Sequence, residues 1–347
     1  MSKDTCRAQS ALLVATCFVM LNVACLAQTG PPAGPPAGPG GEPPPAPVFK
    51  DTPAAAEHRA LAKRAAGTRW QSAYDFYCGT GLHPSKFPDE TVEPQWLFDN
   101  LAILGDRSTV EFILKTSDGF LMIDSGIASS VETVLLPGLA KLGIDPASIK
   151  AIVISHGHPD HFGGATYFQA HYGTKIVASD ADWTLITSPP TMLPPHPEPW
   201  MVAKGPTRDA VVADGGEVVV GDLHLKAFLI PGHTPGSLGF IFPVKDAGRV
   251  HMAAIFGGAI LAESRTPVPS LAQFVQSLAS FADATRLAKV DVELQNHPAF
   301  DDTWVKTQEL KERKPGRPNP FVVGTQGYQE FLTVISQCTQ AMVAQRQ

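Results

Sequence analysis

Four side chains that commonly bind metal ions occur within six residues of this chain. They are His156, His158, Asp160 and His161, in the run His-Gly-His-Pro-Asp-His. The run follows the apolar segment 150–155, which has the composition of a buried strand. Imidazole nitrogen and carboxylate oxygen are ligands that Zn²⁺ accepts where cysteine is absent. A strand end has little use for four such groups unless a cation gathers them, so the pattern predicts a metal site.

Two further histidines lie in loops that directly follow strand-like segments. His233 occurs in Pro-Gly-His-Thr-Pro-Gly after the apolar run 223–230, and His297 occurs in Asn-His-Pro after residues 290–295. Ligands belong in such loops when one end of a sheet carries the site. A single histidine is usually an ordinary polar residue, but the three segments together favour one shared metal site.

These segments, together with Met122–Gly126, make the chain resemble the metallo-β-lactamase superfamily of metal-dependent hydrolases over roughly residues 95–340. The resemblance implies an α/β fold, an αββα sandwich of two mixed sheets flanked by helices, with two metals at one edge of the sheets. Many members carry a carboxylate or thiolate ligand after the fourth central strand. The corresponding segment 252–261 contains no Asp, Glu, Cys or His. In its absence His161 becomes a ligand, which resembles the third subclass of class B β-lactamases.

The resemblance then implies two Zn²⁺ ions per chain, each with three protein ligands. The first set is His156, His158 and His233, and the second set is Asp160, His161 and His297. Three ligands leave a position for water, as in catalytic zinc sites. A water shared by the two ions would lose a proton near neutral pH and attack a carbonyl carbon, and Asp160 would orient it.

Two more residues are candidates for supporting roles. Asp124 ends the strand-like segment 119–124, where it either holds a ligand imidazole or forms a turn. Arg265 follows segment 259–262, which lacks the serines that usually hold the drug's carboxylate in the third subclass; it either binds that anion or is a surface charge. The remaining histidines are interpreted as ordinary polar residues: His58, His83, His171, His196, His224 and His251.

The function predicted from these residues is hydrolysis of a small carbonyl substrate, in the simplest case a β-lactam ring. A lactone or thioester hydrolase with the same dimetal site, a non-catalytic exported metal-binding protein and an iron-dependent redox protein remain alternatives. The 347 residues carry a formal net charge of −6 and no Lys/Arg-rich run. This charge balance argues against a nucleic-acid partner.

Residues 1–27 resemble an export signal, with a weakly basic start, the apolar centre 10–24 and small residues before a cleavage site after Ala27. This predicts a periplasmic or secreted protein with no membrane segment beyond the signal. Acylation of Cys25 and an uncleaved anchor are the alternatives. After such cleavage only Cys78 and Cys338 remain, either as a disulfide or as two separate thiols.

Composition divides the rest of the chain into three parts. Residues 28–50 are rich in Pro and Gly with a period of four, which predicts a disordered tether and excludes a collagen helix. Residues 51–69 form a helical lead-in, and residues 70–347 form the metallo-hydrolase domain. Within this domain the patterns predict, among others, one strand over 96–104 and one helix over 129–142.

Overall fold

Twelve β-strands in the described part of the chain form two sheets. The computed structural model describes residues 51–79, 91–106, 108–188, 201–261 and 266–347. The strands are β1 Val92–Phe98, β2 Leu101–Gly105, β3 Val110–Thr116, β4 Gly119–Ile123, β5 Ile149–Val153, β6 Lys175–Ala178, β7 Ala210–Val211, β8 Glu217–Val220, β9 Leu223–Leu229, β10 Leu238–Asp246, β11 Arg249–Phe256 and β12 Val292–Leu294. The seven-stranded sheet has the order β1-β2-β3-β4-β5-β6-β7, and the five-stranded sheet has the order β12-β11-β10-β9-β8.

Helices cover the outer face of each sheet. They are α1 Pro53–Ala66, α2 Gln71–Tyr77, α3 Leu136–Lys141, α4 Pro159–Phe162, α5 Ala165–Tyr172, α6 Asp180–Thr187, α7 Val268–Leu287, α8 Thr303–Lys311 and α9 Gly324–Ala344. Both sheets are mixed. Strands β1 to β4 are antiparallel while β4 to β7 run parallel, and β12 joins the antiparallel strands β8 to β11 in parallel.

Side-chain alternation along the central strands explains why each sheet is buried on both faces. In β2, Leu101 and Ile103 belong to the core between the sheets, whereas Ala102 and Leu104 pack in the layer that contains α3, α5 and α6. The five-stranded sheet packs its outer face in the same way against α1, α2, α7 and α9. Strands buried on both faces are near-continuous apolar runs, as these are. The predicted αββα sandwich is therefore confirmed.

One detail of the predicted elements was wrong. The strand predicted over 96–104 is a hairpin of β1 and β2, and its turn is attached to β10: the Asp99 amide donates to the Lys245 carbonyl (2.7 Å), and the Asn100 side chain accepts from the Lys245 amide (2.8 Å). Apolar residues on both sides of the turn concealed it. The helix predicted over 129–142 is present as three consecutive helical segments, a 3-10 turn Ala128–Ser130, a π-helical turn Val131–Leu135 and the α-helix Leu136–Lys141, in which Pro137 lacks the amide proton that an interior helix position would donate.

The predicted helical lead-in contains helix α1, which packs against α9. Thr52 donates to the Ala344 carbonyl at 3.3 Å, and His58 Nδ1 lies 2.8 Å from Gln337 Oε1. Between the two alternatives for the cysteines, the structure has the disulfide, Cys78–Cys338, which links residues 260 positions apart. The bridge joins the end of α2 to the middle of α9, so it closes nearly the whole domain into one loop.

Removal of this disulfide should destabilise the domain. We expect the double variant Cys78→Ser/Cys338→Ser to lose about 2–5 kcal/mol of unfolding free energy, since a native cross-link that closes a long loop restricts the unfolded chain. Urea denaturation would measure the loss, and reduced wild-type protein should approach the variant. Two free thiols in unfolded, unreduced protein lacking residues 1–27 would show instead that no bridge exists.

The predictions for residues 1–27 and 28–50 lie outside the described residues. Within the described ranges, no helix combines the length and the apolar composition needed to cross a membrane. The division of the chain into signal, tether, lead-in and domain stays a prediction.

Candidate metal centre

The predicted ligands all lie at one edge of the sandwich, in loops that follow strands of both sheets. In chain order, β5 is followed by His156 and His158, α4 carries Asp160 and His161, β9 is followed by His233, and β12 is followed by His297. The helix α4 is only one turn long and starts at Pro159, a residue suited to the first helical position. This short turn changes the direction of the chain between the first two histidines and the next two ligands.

The first predicted ligand set is a compact group of three imidazoles. His158 Nδ1 lies 2.9 Å from His233 Nε2. The ring centroid of His156 lies 4.9 Å from that of His158 and 4.5 Å from that of His233. Within the described residues, one ligand atom from each of the three lies within 4.8 Å of the others. This spacing suits a single metal ion.

The second predicted set lies beside the first. His161 Nε2 lies 3.1 Å from His297 Nε2 and 3.4 Å from Asp160 Oδ2. Ligand atoms of Asp160 and His161 also lie within 4.8 Å of one on His156, whose ring centroid is 4.0 Å from that of His161. All six side chains are thus brought into one continuous cluster, in which His156 lies next to both sets.

Burial keeps most of these imidazoles neutral. The pKa values of His156 and His233 lie well below the ordinary value, because burial penalises the charged ring and nearby histidines add to the effect. Burial also lowers the pKa of His158, and burial followed by the charge of His161 lowers the pKa of His297 to about 4. A neutral imidazole offers the free lone pair that a metal ion requires.

His161 and Asp160 form an ion pair instead. Burial would lower the pKa of His161, but the charges of Asp160 and Asp124 outweigh it and raise the pKa to about 10. Burial would raise the pKa of Asp160, but the charge and hydrogen bond of His161 hold the pKa of that carboxyl well below its usual range. The protonated ring of His161 therefore lies between the carboxylates of Asp160 and Asp124, at the position where a metal cation would neutralise the same carboxylates.

The donor atoms fit a metal ion of the size of zinc. Zn–N bonds of about 2.0–2.1 Å in tetrahedral geometry place two ligand nitrogens about 3.3 Å apart. The facing pairs here, His158 with His233 and His161 with His297, are separated by 2.9 and 3.1 Å. Nitrogen and carboxylate oxygen donors suit Zn²⁺ and other imidazole-binding divalent ions.

The end of β11 contributes no ligand, and the structure gives a steric reason. Gly258 follows β11 with a φ of 65°, in the left-handed region, and a Cβ there would lie 2.7 Å from Ser237 Oγ and 2.9 Å from His233 Cδ2. A side chain at this position would therefore collide with Ser237 and with a ligand histidine. The sequence observation that segment 252–261 lacks ligand side chains therefore has a counterpart in the packing around His233.

Asp124 is the centre of a buried hydrogen-bond network. Its Oδ2 lies 2.8 Å from His161 Nδ1, and its carboxylate accepts from the Ser155 amide (2.7 Å), the Ser155 hydroxyl (2.8 Å) and the Asn296 side chain (2.9 Å). Its backbone lies in the left-handed region with a φ of 61°, which an aspartate adopts more readily than most residues. Since Ser155 precedes His156 and Asn296 precedes His297, one carboxylate contacts the ligand His161 and the residues directly before two further ligands.

Loss of this carboxylate should weaken metal binding. We expect Asp124→Ala to lower zinc affinity about 10–100-fold, the usual effect of removing a group that orients a ligand imidazole. Competition with a chromophoric chelator would measure it. Asp118→Ala, on the exposed turn between β3 and β4, is the matched control. Equal affinities in the two variants would contradict the role assigned to Asp124.

Sequence analysis did not assign roles to Ser155, Asn296 or Asp182. The first two directly precede ligand histidines, which was a usable signal. Asp182 is buried on α6 and hydrogen-bonds to both loops that carry the first ligand set. Its only signal was the segment 179–182, Ser-Asp-Ala-Asp, which is typical of an ordinary capped helix start.

The other histidines in the described residues lie away from the cluster or have their own partners. His171 stacks on Tyr167, His224 pairs with Glu217, and His251 pairs with Asp291 at 2.6 Å. His83, His196 and the candidate anion-binding residue Arg265 lie outside the described residues, so the role suggested for Arg265 stays a prediction.

Comparison with known proteins agrees with this site. Residues 105–248 match the model of the metallo-beta-lactamase superfamily. The chain is 29% identical over 125 residues to the probable metallo-hydrolase YybB of Bacillus subtilis, covering 36% of this chain and 52% of that protein. It is 33% identical over 101 residues to the hydroxyacylglutathione hydrolase GloC of Haemophilus influenzae, covering 27% and 44%. The chain therefore spans about half the length or less of these relatives.

Solved structures extend the similarity to most of the fold. The subclass B3 metallo-beta-lactamase BJP-1 of Bradyrhizobium japonicum is 28% identical, with a TM-score of 0.59 over 72% of this chain and 93% of that chain. The FEZ-1 metallo-beta-lactamase of Legionella gormanii, 24% identical, shares the fold with a TM-score of 0.60 over 70% and 93%. The chain thus contains a metallo-beta-lactamase superfamily domain, and its structural neighbours include subclass B3 enzymes.

Proposed function

We propose that this protein is an exported hydrolase that uses two zinc ions to cleave a small carbonyl substrate, with the β-lactam ring as the first candidate. The observation that carries the proposal is the convergence of six donor side chains from three distant segments. Each ligand set leaves room for a water molecule at its ion, as catalytic zinc sites require. Bound divalent metal would lower the pKa of water to about 7 and polarise the substrate carbonyl.

Two acidic residues of the chain have separate roles in this scheme. Asp160 lies 3.4 Å from His161 Nε2, where its second carboxylate oxygen can accept a hydrogen bond from an attacking water and so orient it. Asp124 holds the imidazole of His161 in position and keeps its Nδ1 occupied, so that Nε2 is directed into the cluster. No serine or cysteine nucleophile is needed in this scheme.

Two observations support the β-lactam ring as substrate. The subclass B3 lactamase BJP-1 aligns over 93% of its length. The end of β11 lacks a carboxylate or thiolate ligand, and His161 lies beside His297 instead, which matches the ligand pattern expected of that subclass. Segment 259–262 lacks the serines expected of that subclass, and Ala259 within it is buried.

A thioester or lactone hydrolase is the second candidate. GloC, a relative named for hydrolysis of hydroxyacylglutathione, is 33% identical over the matched 101 residues. The same pair of ligand sets would serve a thioester, because the attack on the carbonyl carbon is the same chemistry. The alternatives differ in what holds the rest of the substrate.

Export to an oxidising compartment is part of the proposal. The Cys78–Cys338 disulfide supports it, since structural disulfides persist mainly outside the reducing cytosol. The export signal over residues 1–27 would be tested by N-terminal sequencing of protein recovered from its natural location, where cleavage after Ala27 is the expected result.

A side-by-side hydrolysis assay tests the choice of substrate. A cephalosporin, a homoserine lactone and an acyl-thioester would be offered to zinc-loaded protein, with and without chelator. We expect chelator-sensitive turnover that is fastest with the cephalosporin. Faster turnover of the thioester or lactone would transfer the assignment to the second candidate, and no turnover of any substrate would reject the hydrolase.

A further inference from the structure

Helix α6 contacts both loops that carry the first ligand set, through the side chain of Asp182. Oδ2 of Asp182 accepts hydrogen bonds from the Gly157 amide at 2.7 Å and from the Thr234 hydroxyl at 2.6 Å. Oδ1 accepts from the Gly236 amide at 2.8 Å. The side chain is 1% exposed, so these hydrogen bonds are shielded from water and cannot be replaced by it.

Two of the three donors directly neighbour the ligands. Gly157 separates His156 from His158, and Thr234 follows His233 in the chain. One carboxylate therefore connects two loops whose ligands are 75 positions apart, and does so within three residues of each ligand. Small changes in this connection would alter the distance between the facing nitrogens of His158 and His233.

Glycines at both contacts allow the loops to lie directly on α6. A Cβ at Gly236 would lie 2.6 Å from the Asp182 amide nitrogen and 2.7 Å from Asp182 Oδ1. A Cβ at Gly157 would lie 3.0 Å from the Cβ of Leu185 and 3.2 Å from the Asp182 carbonyl oxygen. Both loops therefore have a glycine at the point where they contact α6.

A carboxylate suits this position better than its amide. Hydrogen-bond donors face both oxygens of Asp182, and a carboxylate accepts at both. Asparagine accepts at one atom only and would direct its NH₂ group toward an N–H or O–H donor. Burial raises the pKa of Asp182, while the hydrogen bonds from Thr234, Gly157 and Gly236 oppose this effect.

We propose that Asp182 is a positioning residue that joins the two histidine loops and sets the geometry of the metal position formed by His156, His158 and His233. The inference rests on the proposed metal-dependent function. It adds which carboxylates support which ligand set. Asp182 contacts the two loops of the first ligand set, whereas Asp124 contacts His161 and Asn296 of the second set and also Ser155, which precedes His156.

The test is the affinity of each of the two metal positions in three variants. Asp182→Asn keeps the shape and removes an acceptor, and Thr234→Val removes one of the three hydrogen bonds. The matched control is Asp180→Asn, which removes the same charge from the same helix, where Asp180 is exposed and pairs with Arg208. Co²⁺ titration, followed by the ligand-field absorption spectrum, and Zn²⁺ competition with a chelator would give the two dissociation constants separately.

We expect Asp182→Asn to weaken binding about tenfold at the position formed by His156, His158 and His233, with a changed Co²⁺ spectrum, and to change binding at the other position little. Thr234→Val should show a smaller change in the same direction, and Asp180→Asn none. Equal weakening of both metals, which a general loss of structure would cause, or unchanged affinity would overturn the inference. If Asp182→Asn does not fold, Thr234→Val decides in the same way. Wild-type protein that binds no metal would reject the proposed function instead.

Discussion

Replacing Asp160 with alanine should lower kcat/KM on the order of 10³-fold, with a loss of bound metal. The side chain has two duties in the proposed scheme, as a ligand of the second set and as the group that orients the attacking water. Misplacement of the attacking water by about 1 Å can cost about 10²-fold, and loss of a ligand adds to this. Asp160 lies 3.4 Å from His161 Nε2, so its removal also leaves that imidazole without one of its two carboxylate partners.

The measurement is steady-state kinetics on the best substrate of the hydrolysis assay, together with metal content after dialysis. Asp283→Ala is the control, because Asp283 is exposed on α7 and pairs only with Arg286 of the same helix among the contacts described. The control should keep wild-type kinetics and metal content. Wild-type turnover by Asp160→Ala would contradict the proposed mechanism.

The largest expected effect on stability comes from Lys306, a cation buried on α8. Its Nζ lies 2.7 Å from Glu293 Oε2 and 3.2 Å from Asp301 Oδ2, and both carboxylate side chains are 0% exposed. Burial would lower the pKa of Lys306, but the charges of Asp301 and Glu293 outweigh it, so the pKa lies above its ordinary value. Glu293 is on β12 and Asp301 follows His297, so the group supports the loop that carries this ligand.

Lys306→Ala should lower the unfolding free energy by about 3–5 kcal/mol at neutral pH, because it removes the cation that lies between two buried carboxyl groups. Burial raises the pKa of Glu293, the charge of Lys306 opposes this effect and the charge of Asp301 adds to it, so that the pKa is about 8 with Lys306 present. Without Lys306, Glu293 gains a still stronger preference for the protonated form in the folded state. The difference in unfolding free energy between wild type and Lys306→Ala should therefore become smaller as the pH falls.

Urea denaturation at several pH values would measure this difference. Lys311→Ala is the matched control on the same helix, since Lys311 pairs with the exposed carboxylate of Glu93. A surface pair of this kind contributes about 0–1 kcal/mol. Equal losses in the two variants would show that the buried group is not an important source of stability.

The metal-binding cluster could be predicted from the sequence for a physical reason, whereas the sandwich was predicted from the resemblance that these motifs carry. Ligands of a metal site need specific donor atoms, so His156–His161 differ visibly from ordinary residues. Strands buried on both faces are long apolar runs, which makes segments such as 150–155 visible without alternation. The strand ends then indicated where the histidines of the other two segments, His233 and His297, would meet them.

Other features depended on long-range contacts that no local pattern records. The turn at Asp99–Asn100 is stabilised by Lys245 and Pro243 of β10, about 145 residues away. Asp182 resembles any acidic residue at a helix start until the loops around Gly157 and Gly236 are placed on it. The choice between a disulfide and two thiols required the distance between α2 and α9.

Zinc titration of metal-free protein, followed by hydrolysis of the best substrate, tests the central claim most directly. Protein stripped by chelator should be inactive, and activity should return with two equivalents of bound zinc per chain. Alanine at His233 or His297 should reduce the number of bound ions to about one and prevent full recovery. Full activity in stripped protein, or full zinc binding without either histidine, would contradict the two-ion centre.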